Sequence, residues 1–385
     1  MNDTRLLVSS IIRITEPGER SGSVRLVSLK ERRVLADWPI PESPFRAYDP
    51  NPRGGLRGGR GISGDGERLV VAVTDRLFVF NREWRQVGEL SHPLLGQVHD
   101  LLVEPDGVWV TASASDMVMK LGWDGAVLRA WSWREDPALA RELKLADALG
   151  GALSDDYRDP RRLPAFFDFV HVNGVARCPE GLLVSFGFVP SRLSRRIQAL
   201  TDLPDALLRR LGRGTRKTKA SSAFDLRFLA SSFTASSWVG VLLPDQGPAR
   251  VVARQDGILR PNHNLLRHRD TLVYNDTHNN QVVQQAVDGS WKRQVAIPGD
   301  PPFVRGLAPL GGNRFLVGSQ RPAALYDVDF DSPRCERLLE LGTHRHECVY
   351  GIHVVPDCFG EPPEELWAPA SPANNARPRN EARVA

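Results

Sequence analysis

Asn173-Gly174-Val175 places a polar residue, a small residue and an aliphatic residue in succession, and five other stretches of the chain repeat this pattern with a small or polar middle residue. They are Arg60-Gly61-Ile62, His99-Asp100-Leu101, His263-Asn264-Leu265, Arg305-Gly306-Leu307 and Tyr350-Gly351-Ile352. Where nothing is inserted they recur about every 40 residues, which is the period of a four-stranded propeller blade. The pattern predicts an all-β fold, a six-bladed β-propeller in which each stretch begins the innermost strand of one blade.

The two ends of the chain each supply part of one blade. Leu6 to Ile12, Ser23 to Leu29 and Val34 to Trp38 read as three strands with no inner strand before them. Tyr350 to Val355 reads as an inner strand with nothing after it. Pairing them removes the exposed sheet edges of an open array, so we expect terminal strand closure of one domain over residues 1–358.

Two insertions, residues 134–168 and 190–235, interrupt the repeat on the face where inner strands begin, so they are predicted to form a lid over the channel mouth. Pro137 to Leu143 is helix-like, and the second insertion combines leucines at near-helical spacing with arginines. Such a basic helix either packs on the propeller or contacts a partner or membrane surface. Residues 359–385, rich in Pro, Ala, Asn and Arg, are predicted to be a disordered tail.

Bulk composition excludes some classes of protein. The 385 residues include 41% hydrophobic residues and carry a net charge of +4, which does not indicate a nucleic-acid binder. The N-terminus lacks a secretory h-region, and no apolar run is long enough for a transmembrane segment. The four cysteines form no CxxC pair, which favours free thiols in a reducing cytoplasm. We therefore expect a cytoplasmic protein.

Histidines occupy equivalent places in several blades. His99 and His263 lead their blades, His171 lies two residues before Asn173 on the same side of its strand, and His278 ends a second strand that returns to the same mouth. Imidazole serves as a nucleophile, a proton shuttle or a metal ligand. His99, His171 and His263 are therefore candidate catalytic residues or, alternatively, ligands of a divalent metal ion.

Cationic residues point to a small anionic substrate. Arg60 and Arg305 lead their blades, and the glycine-rich loop that approaches Arg60 also holds Arg57. Glycine-rich backbone and guanidinium groups are typical ligands of sulfate, phosphate or carboxylate. The candidate substrate-binding residues are Asn173, Arg60, Arg305, Arg57, His278 and Tyr350.

The segment from Phe167 to Val175, with its acidic residue, aromatic residues and His-x-Asn pair, resembles the arylsulfate sulfotransferases, as do the blades that begin at His99 and Asn262. This resemblance implies a six-bladed propeller that moves a sulfuryl group through a sulfated histidine. It would make His263 the nucleophile, while His99, His171 and Asn173 would bind the sulfuryl oxygens. A closer likeness, to a group of bacterial propeller proteins of unassigned function, spans most blades and implies the fold alone.

Three functions therefore remain open. The first is an enzyme that acts on a small anionic substrate at the channel mouth, with His263 or His171 as nucleophile or acid and base and arginines as anion ligands. The sulfotransferase resemblance favours transfer of a sulfuryl-like group as its reaction. The second is a metal-dependent oxidoreductase or lyase with a histidine-ligated cation. The third is a non-catalytic binding platform whose basic lid helix contacts a partner.

Overall fold

The computed structural model describes residues 4–49, 51, 55–149, 154–164, 167–195, 236–342 and 344–367. In these residues 24 strands form six four-stranded antiparallel sheets, one per blade. The predicted all-β, six-bladed propeller is confirmed.

Blade 1 contains β1 (Arg5–Ile12), β2 (Gly22–Ser28), β3 (Arg33–Pro39) and β24 (Glu347–Val354). Blade 2 contains β4 (Ile62–Gly64), β5 (Arg68–Ala72), β6 (Leu77–Asn81) and β7 (Gln86–Leu90). Blade 3 contains β8 (Val98–Glu104), β9 (Gly107–Ala112), β10 (Met117–Gly122) and β11 (Val127–Ser132). Blade 4 contains β12 (Val172–Cys178), β13 (Gly181–Val189), β14 (Ser236–Pro244) and β15 (Arg250–Ile258). Blade 5 contains β16 (His263–His268), β17 (Thr271–Asp276), β18 (Gln281–Ala286) and β19 (Lys292–Ala296). Blade 6 contains β20 (Arg305–Gly311), β21 (Arg314–Gly318), β22 (Ala324–Asp329) and β23 (Arg334–Glu340).

Blade 1 closes the ring in the predicted way. Its strand order is β24-β1-β2-β3, so the C-terminal strand is innermost and pairs antiparallel with the N-terminal one. The closure contains a buried ion pair, because Arg25 Nη1 lies 2.5 Å from Glu347 Oε1. Ser10 Oγ donates a second hydrogen bond of 2.5 Å to the same carboxylate oxygen. Three strands of blade 1 are thus joined by side chains as well as by backbone pairing.

The hydrophobic core is divided among the interfaces between blades. Each pair of neighbouring blades encloses its own cluster of buried aliphatic and aromatic side chains. Middle strands such as β9 are buried along their whole length, whereas outer strands such as β11 are mostly exposed. This gradient arises because a middle strand packs on both neighbouring blades, and each fully buried Val or Leu contributes about 1.5–3 kcal/mol.

The small middle residue of a blade-leading tripeptide lets neighbouring inner strands approach closely. A Cβ on Gly61 would lie 2.8 Å from the Cα of Asp100, and one on Gly351 would lie 2.5 Å from the carbonyl oxygen of Arg60. Where the middle residue is polar it bonds the next blade instead. Asn264 Oδ1 accepts a hydrogen bond of 3.1 Å from the backbone N–H of Gly306. The repeated pattern therefore reflects contacts around the channel as well as strand starts.

The first insertion lies along the face of the propeller where the inner strands begin. It contains α1 (Pro137–Glu142) between two short 3₁₀ helices, and Asp136 caps α1 by accepting a hydrogen bond of 2.9 Å from Leu139 N. Further along, Tyr157 N donates to Pro93 O at 2.7 Å, and the Arg161 guanidinium lies 3.7 Å from the centroid of the Tyr48 ring. These partners belong to connections that end at the mouth, so the insertion crosses that face.

The second insertion begins against the first. Residues 192–195 are helical, and Arg195 Nη2 lies 2.9 Å from Asp147 Oδ1. The predicted basic amphipathic pattern begins at Leu193, and its remainder, from residue 196 onward, lies outside the described part of the chain. No helix among the described residues is both long and apolar enough to span a bilayer.

The prediction of a disordered tail does not hold for residues 359–367, which pack on the outside of blades 1 and 2. Phe359 and Leu366 are buried, and the Trp367 ring lies edge-on to Phe78 with centroids 4.9 Å apart. Trp84 Nε1 donates to Gly360 O at 2.9 Å. Three apolar side chains in this short segment outweigh its Pro-rich composition. Residues 368–385 lie outside the described residues.

Candidate functional site

Each blade contributes a polar side chain near the start of its inner strand, and these side chains divide by chemistry around the ring. Blades 3, 4 and 5 supply three histidines; blades 6, 1 and 2 supply an arginine, a tyrosine and an arginine. In this order around the ring they are His99, His171, His263, Arg305, Tyr350 and Arg60. One half of the site therefore offers imidazole nitrogens, and the other half offers two guanidinium groups and a phenol.

The structure brings the three predicted histidines together. One ring nitrogen from each of His99, His171 and His263 lies within 4.8 Å of the corresponding nitrogens of the other two. The ring centroids of His99 and His171 are 4.5 Å apart, and that of His263 lies 6.2 Å from His99 and 5.9 Å from His171. His99 and His263 are buried and His171 is half-buried. We call these residues the histidine cluster.

The first insertion orients His171. Its Nδ1 lies 2.8 Å and 3.0 Å from the two carboxylate oxygens of Asp168. An ionised carboxylate only accepts hydrogen bonds, so Nδ1 carries a proton and Nε2 is the nitrogen that remains for a ligand. Among the described residues no group hydrogen-bonds this buried Nε2. Asp168 and His171 both have φ of 53°, a left-handed conformation that is rare outside glycine and concentrated at functional sites.

The connection between β17 and β18 orients His263 in the same way, through its Nδ1 atom. Its Nδ1 lies 2.8 Å from Thr277 Oγ1, and that hydroxyl donates its own proton to Val304 O at 2.8 Å. The Thr277 oxygen therefore accepts from Nδ1–H, which leaves the Nε2 lone pair of the neutral ring free. His263 Nε2 is also buried without a hydrogen-bond partner in the described part of the chain.

Burial and nearby cations keep two of these rings neutral. Burial is the main cause that holds the pKa of His99 well below its usual value, followed by His171, Arg305 and Arg60. For His263, burial again lowers the pKa most, followed by Arg305. Both imidazoles are therefore unprotonated at neutral pH. Neutral imidazoles serve as metal ligands or nucleophiles and are poor counter-ions for an anion.

The opposite half of the site is an arginine cluster. The guanidinium carbons of Arg60 and Arg305 lie 4.7 Å and 4.5 Å from the centroid of the Tyr350 ring. Arg305 and Arg13 lie 5.2 Å and 4.7 Å from the centroid of the Phe303 ring. We call Arg13, Arg60 and Arg305 the inner arginine cluster. The Tyr350 hydroxyl hydrogen-bonds Nδ1 of His99 and so connects the two halves.

Sequence reasoning missed three of these residues. Asp168 and Thr277 lie in connections whose conformation the repeat does not encode. Arg13, in contrast, directly follows β1 where that strand reaches the mouth. Arg13 therefore reaches the mouth in the same way as His278, and strand direction in the sequence predicts its position too.

Three predicted substrate-binding residues have partners of their own. Arg57 Nη1 lies 2.8 Å from Asp49 Oδ2, so the glycine-rich loop binds a carboxylate of the chain itself. His278 Nδ1 accepts a hydrogen bond of 3.3 Å from the backbone N–H of Leu259. Asn173 is buried next to the histidines, and its Nδ2 donates to Asn262 O at 2.7 Å. Of these three, Asn173 alone has a buried side-chain atom, Oδ1, with no hydrogen-bond partner among the described residues.

Comparison with known proteins supports the fold and leaves the function open. No protein-family model and no curated protein matches the chain. The chain is similar to a chain of a nidogen/laminin complex at 8% identity, with 91% of this chain and 97% of that chain covered and a TM-score of 0.51. It also matches a Bacteroides caccae protein of unknown function at 10% identity, with 91% and 98% covered and a TM-score of 0.49. A streptogramin B lyase matches at 10% identity, with 74% and 70% covered and a TM-score of 0.42.

At these identities the comparisons show a propeller fold alone. The predicted resemblance to arylsulfate sulfotransferases is not shown by them. The comparisons therefore support the fold alone, and the function must be argued from the channel mouth of this propeller.

Proposed function

We propose that the channel mouth is the active site of a metal-dependent enzyme that acts on a small anionic substrate, with His99, His171 and His263 as ligands of a divalent cation. The observation that supports this most is the convergence of three imidazole nitrogens within 4.8 Å of one another. Three protein ligands with a remaining open position are the usual arrangement of a catalytic zinc-type site.

The donor set fits a borderline transition metal. Nitrogens bound at 2.0–2.1 Å to one tetrahedral ion lie about 3.4 Å apart, so rotations that move the rings by roughly 1 Å would complete the site. The Nδ1 atoms of His171 and His263 are already held by Asp168 and Thr277. Such outer hydrogen bonds fix the tautomer and orientation of metal-bound histidine. The unpartnered, buried Nε2 atoms of the same two residues are the atoms that a cation would satisfy.

The chain's own groups divide the remaining work. A bound cation would polarise a substrate oxygen or activate water. Arg60 and Arg305 would bind the anionic group of the substrate opposite the histidines. The Tyr350 hydroxyl, placed between both halves, would hold or deliver a proton at its oxygen. The first insertion would limit access of water from the mouth face.

A second candidate is group transfer through His263. In this reaction the Nε2 lone pair would attack a sulfuryl-like group and displace the donor's leaving oxygen, and an acceptor hydroxyl would then take the group from Nε2 and lose its proton. The observation that favours it is that Nε2 of this neutral ring has no partner in the described residues, while Thr277 fixes the proton on Nδ1. The same lone pair serves as ligand in the first proposal and as nucleophile in the second. The two functions are thus distinguished by chemistry rather than by geometry.

Elemental analysis of full-length protein purified without chelator tests the proposal. We expect about one divalent transition-metal ion per chain, strongly reduced in His171→Ala and His263→Ala. His353→Gln, a change of a half-buried histidine outside the cluster, should keep the ion. Absence of metal after incubation with Zn²⁺, Mn²⁺, Fe²⁺, Co²⁺, Ni²⁺ or Cu²⁺, together with a covalent sulfuryl or phosphoryl adduct on His263 by mass spectrometry, would favour the second candidate.

A further inference from the structure

We infer that the inner arginine cluster binds a dianionic head group of the substrate, with Arg13 as its third cationic ligand. The inference deepens the proposed function because it names the class of ligand that lies opposite the histidine cluster. Anion binding by these arginines does not itself need a metal, so the two proposals can fail separately.

Missing counter-charges are the first argument. Elsewhere in the chain buried arginines are paired: Arg25 lies 2.5 Å from Glu347, and Arg57 lies 2.8 Å from Asp49. Within the described residues no carboxylate forms an ion pair with a member of the inner arginine cluster. Arg60 and Arg305 are nevertheless only 4% and 8% exposed. Burying unpaired charge is costly, so such an arrangement persists where a ligand supplies the opposite charge.

The geometry of the guanidinium groups is the second argument. Two arginines contact the ring of Tyr350 and two contact the ring of Phe303, so aromatic surfaces hold the planar groups in position. An aromatic contact through the face of a guanidinium leaves its N–H edge for hydrogen bonds. The Nε atoms of all three arginines are buried and have no hydrogen-bond partner in the described part of the chain. These are unused donors suited to bidentate binding of an oxyanion.

The number of positive charges in the inner arginine cluster indicates the class of ligand. Burial lowers the pKa of Arg13 to about 10, which still leaves this guanidinium protonated at neutral pH. Burial also raises the pKa of the neighbouring Cys348 thiol, so that this group stays neutral. Three cations that pair with no carboxylate of the described residues are best balanced by at least two negative charges. The shared chemistry is therefore a dianionic oxyanion, such as a phosphate monoester or a short dicarboxylate.

A further cation, Arg345, lies on the rim beside Arg13. The backbone N–H of Arg13 donates to His346 O at 3.1 Å. The rings of His344 and His346 have centroids 5.5 Å apart, and Arg345 Nε lies 2.9 Å from His346 Nε2. These residues are in the connection that enters blade 1 at the mouth. The Arg345 guanidinium, on a rim that leads to the buried arginines, would steer an anion inward.

Calorimetric titration of the full-length protein as purified tests the inference. Inorganic phosphate or malonate should bind at least tenfold more tightly than acetate. Arg13→Gln and Arg305→Gln should each weaken dianion binding tenfold or more, whereas Arg129→Gln, an exposed change on β11, should not. Phosphate preferred to malonate would indicate a phosphorylated substrate, and the reverse a dicarboxylate.

Two further readouts separate this inference from metal binding and from misfolding. Arg13→Gln should keep its metal, and His171→Ala should keep its preference for dianions while losing metal. Without added anion, Arg13→Gln should melt at the same or a higher temperature than wild type, because the substitution removes an unpaired cation. Phosphate should raise the melting temperature of wild type alone. Equal affinity for acetate and the dianions, or undiminished binding in both arginine variants, would overturn the inference.

Discussion

Arg25→Met should be among the most destabilising single substitutions in blade 1, because it leaves a buried carboxylate without its counter-ion. Glu347 is 1% exposed, and its Oε1 accepts hydrogen bonds of 2.5 Å from both Arg25 Nη1 and Ser10 Oγ. Removing one partner of a buried ion pair costs about 3–5 kcal/mol. After the substitution the Ser10 hydroxyl would be the one side-chain donor to this oxygen left among the described residues, so we expect a loss in the upper part of that range.

Substitution of the other partner, Glu347, should lower the free energy of unfolding by less. In Glu347→Gln the Arg25 guanidinium keeps Asp37, whose carboxylate lies 3.3 Å away and is 36% exposed. The remaining loss is that of a charged hydrogen bond, about 1.5–3 kcal/mol. The double variant leaves no unpaired buried charge at the position of this ion pair, so it should be more stable than Arg25→Met alone. Urea unfolding followed by circular dichroism at pH 7 gives the three free energies of unfolding.

The order of the three free energies of unfolding tests whether an unpaired buried charge is the cause of the destabilisation. A loss below about 1 kcal/mol in Arg25→Met would show that the ion pair is solvated and that the closure of blade 1 depends on backbone pairing alone. A double variant less stable than Arg25→Met would refute the argument from unpaired charge.

Three other predictions concern the site and the fold. Asp168→Asn removes the carboxylate that orients His171 and should weaken metal affinity about 10–100-fold in competition with a chromophoric chelator. Burial lowers the pKa of His353 to about 4, below the roughly 6.5 of an unfolded chain, so native stability falls as the pH drops from about 6.5 towards 4. In His353→Gln the loss of unfolding free energy at pH 4.5 should be about 2 kcal/mol smaller than in wild type, as measured by urea unfolding. Deleting residues 347–385 should abolish cooperative thermal unfolding, whereas deleting 368–385 should preserve it.

A specific result would contradict each of these three predictions. Unchanged metal affinity in Asp168→Asn would show that its carboxylate does not act through His171. Equal acid sensitivity of wild type and His353→Gln would show that His353 is accessible to protons in the native state. A cooperative melting curve after deletion from residue 347 would mean that β24 does not close the ring.

The fold was predictable because the blade-leading pattern repeats with the period of the architecture. Six tripeptides and their turns fixed the number of blades, and the unmatched strands at the two termini predicted the closure of β1 with β24. The packed segment at 359–367 was not predictable in this way. It lies outside the repeat, and its aromatic residues find partners such as Phe78 and Trp84 that are distant in sequence.

The candidate site was predictable only where symmetry determines it. Equivalent positions in successive blades place His99 and His263 at one mouth, and the structure brings them within reach of His171. Side chains that depend on the path of a connection were missed, as with Asp168, which a left-handed backbone turn brings to His171. Arg57 was predicted to bind the substrate, but it pairs with Asp49, and this local contact is not revealed by repeat position.

The most direct test of the account is X-ray absorption spectroscopy of the metal-loaded full-length protein. We expect a first coordination shell with three imidazole nitrogens at about 2.0–2.1 Å and further light-atom ligands. The number of imidazoles should fall to two in His263→Ala and remain three in His353→Gln. A spectrum without imidazole scattering, or one unchanged by His263→Ala, would contradict the claim that the histidine cluster is a metal site.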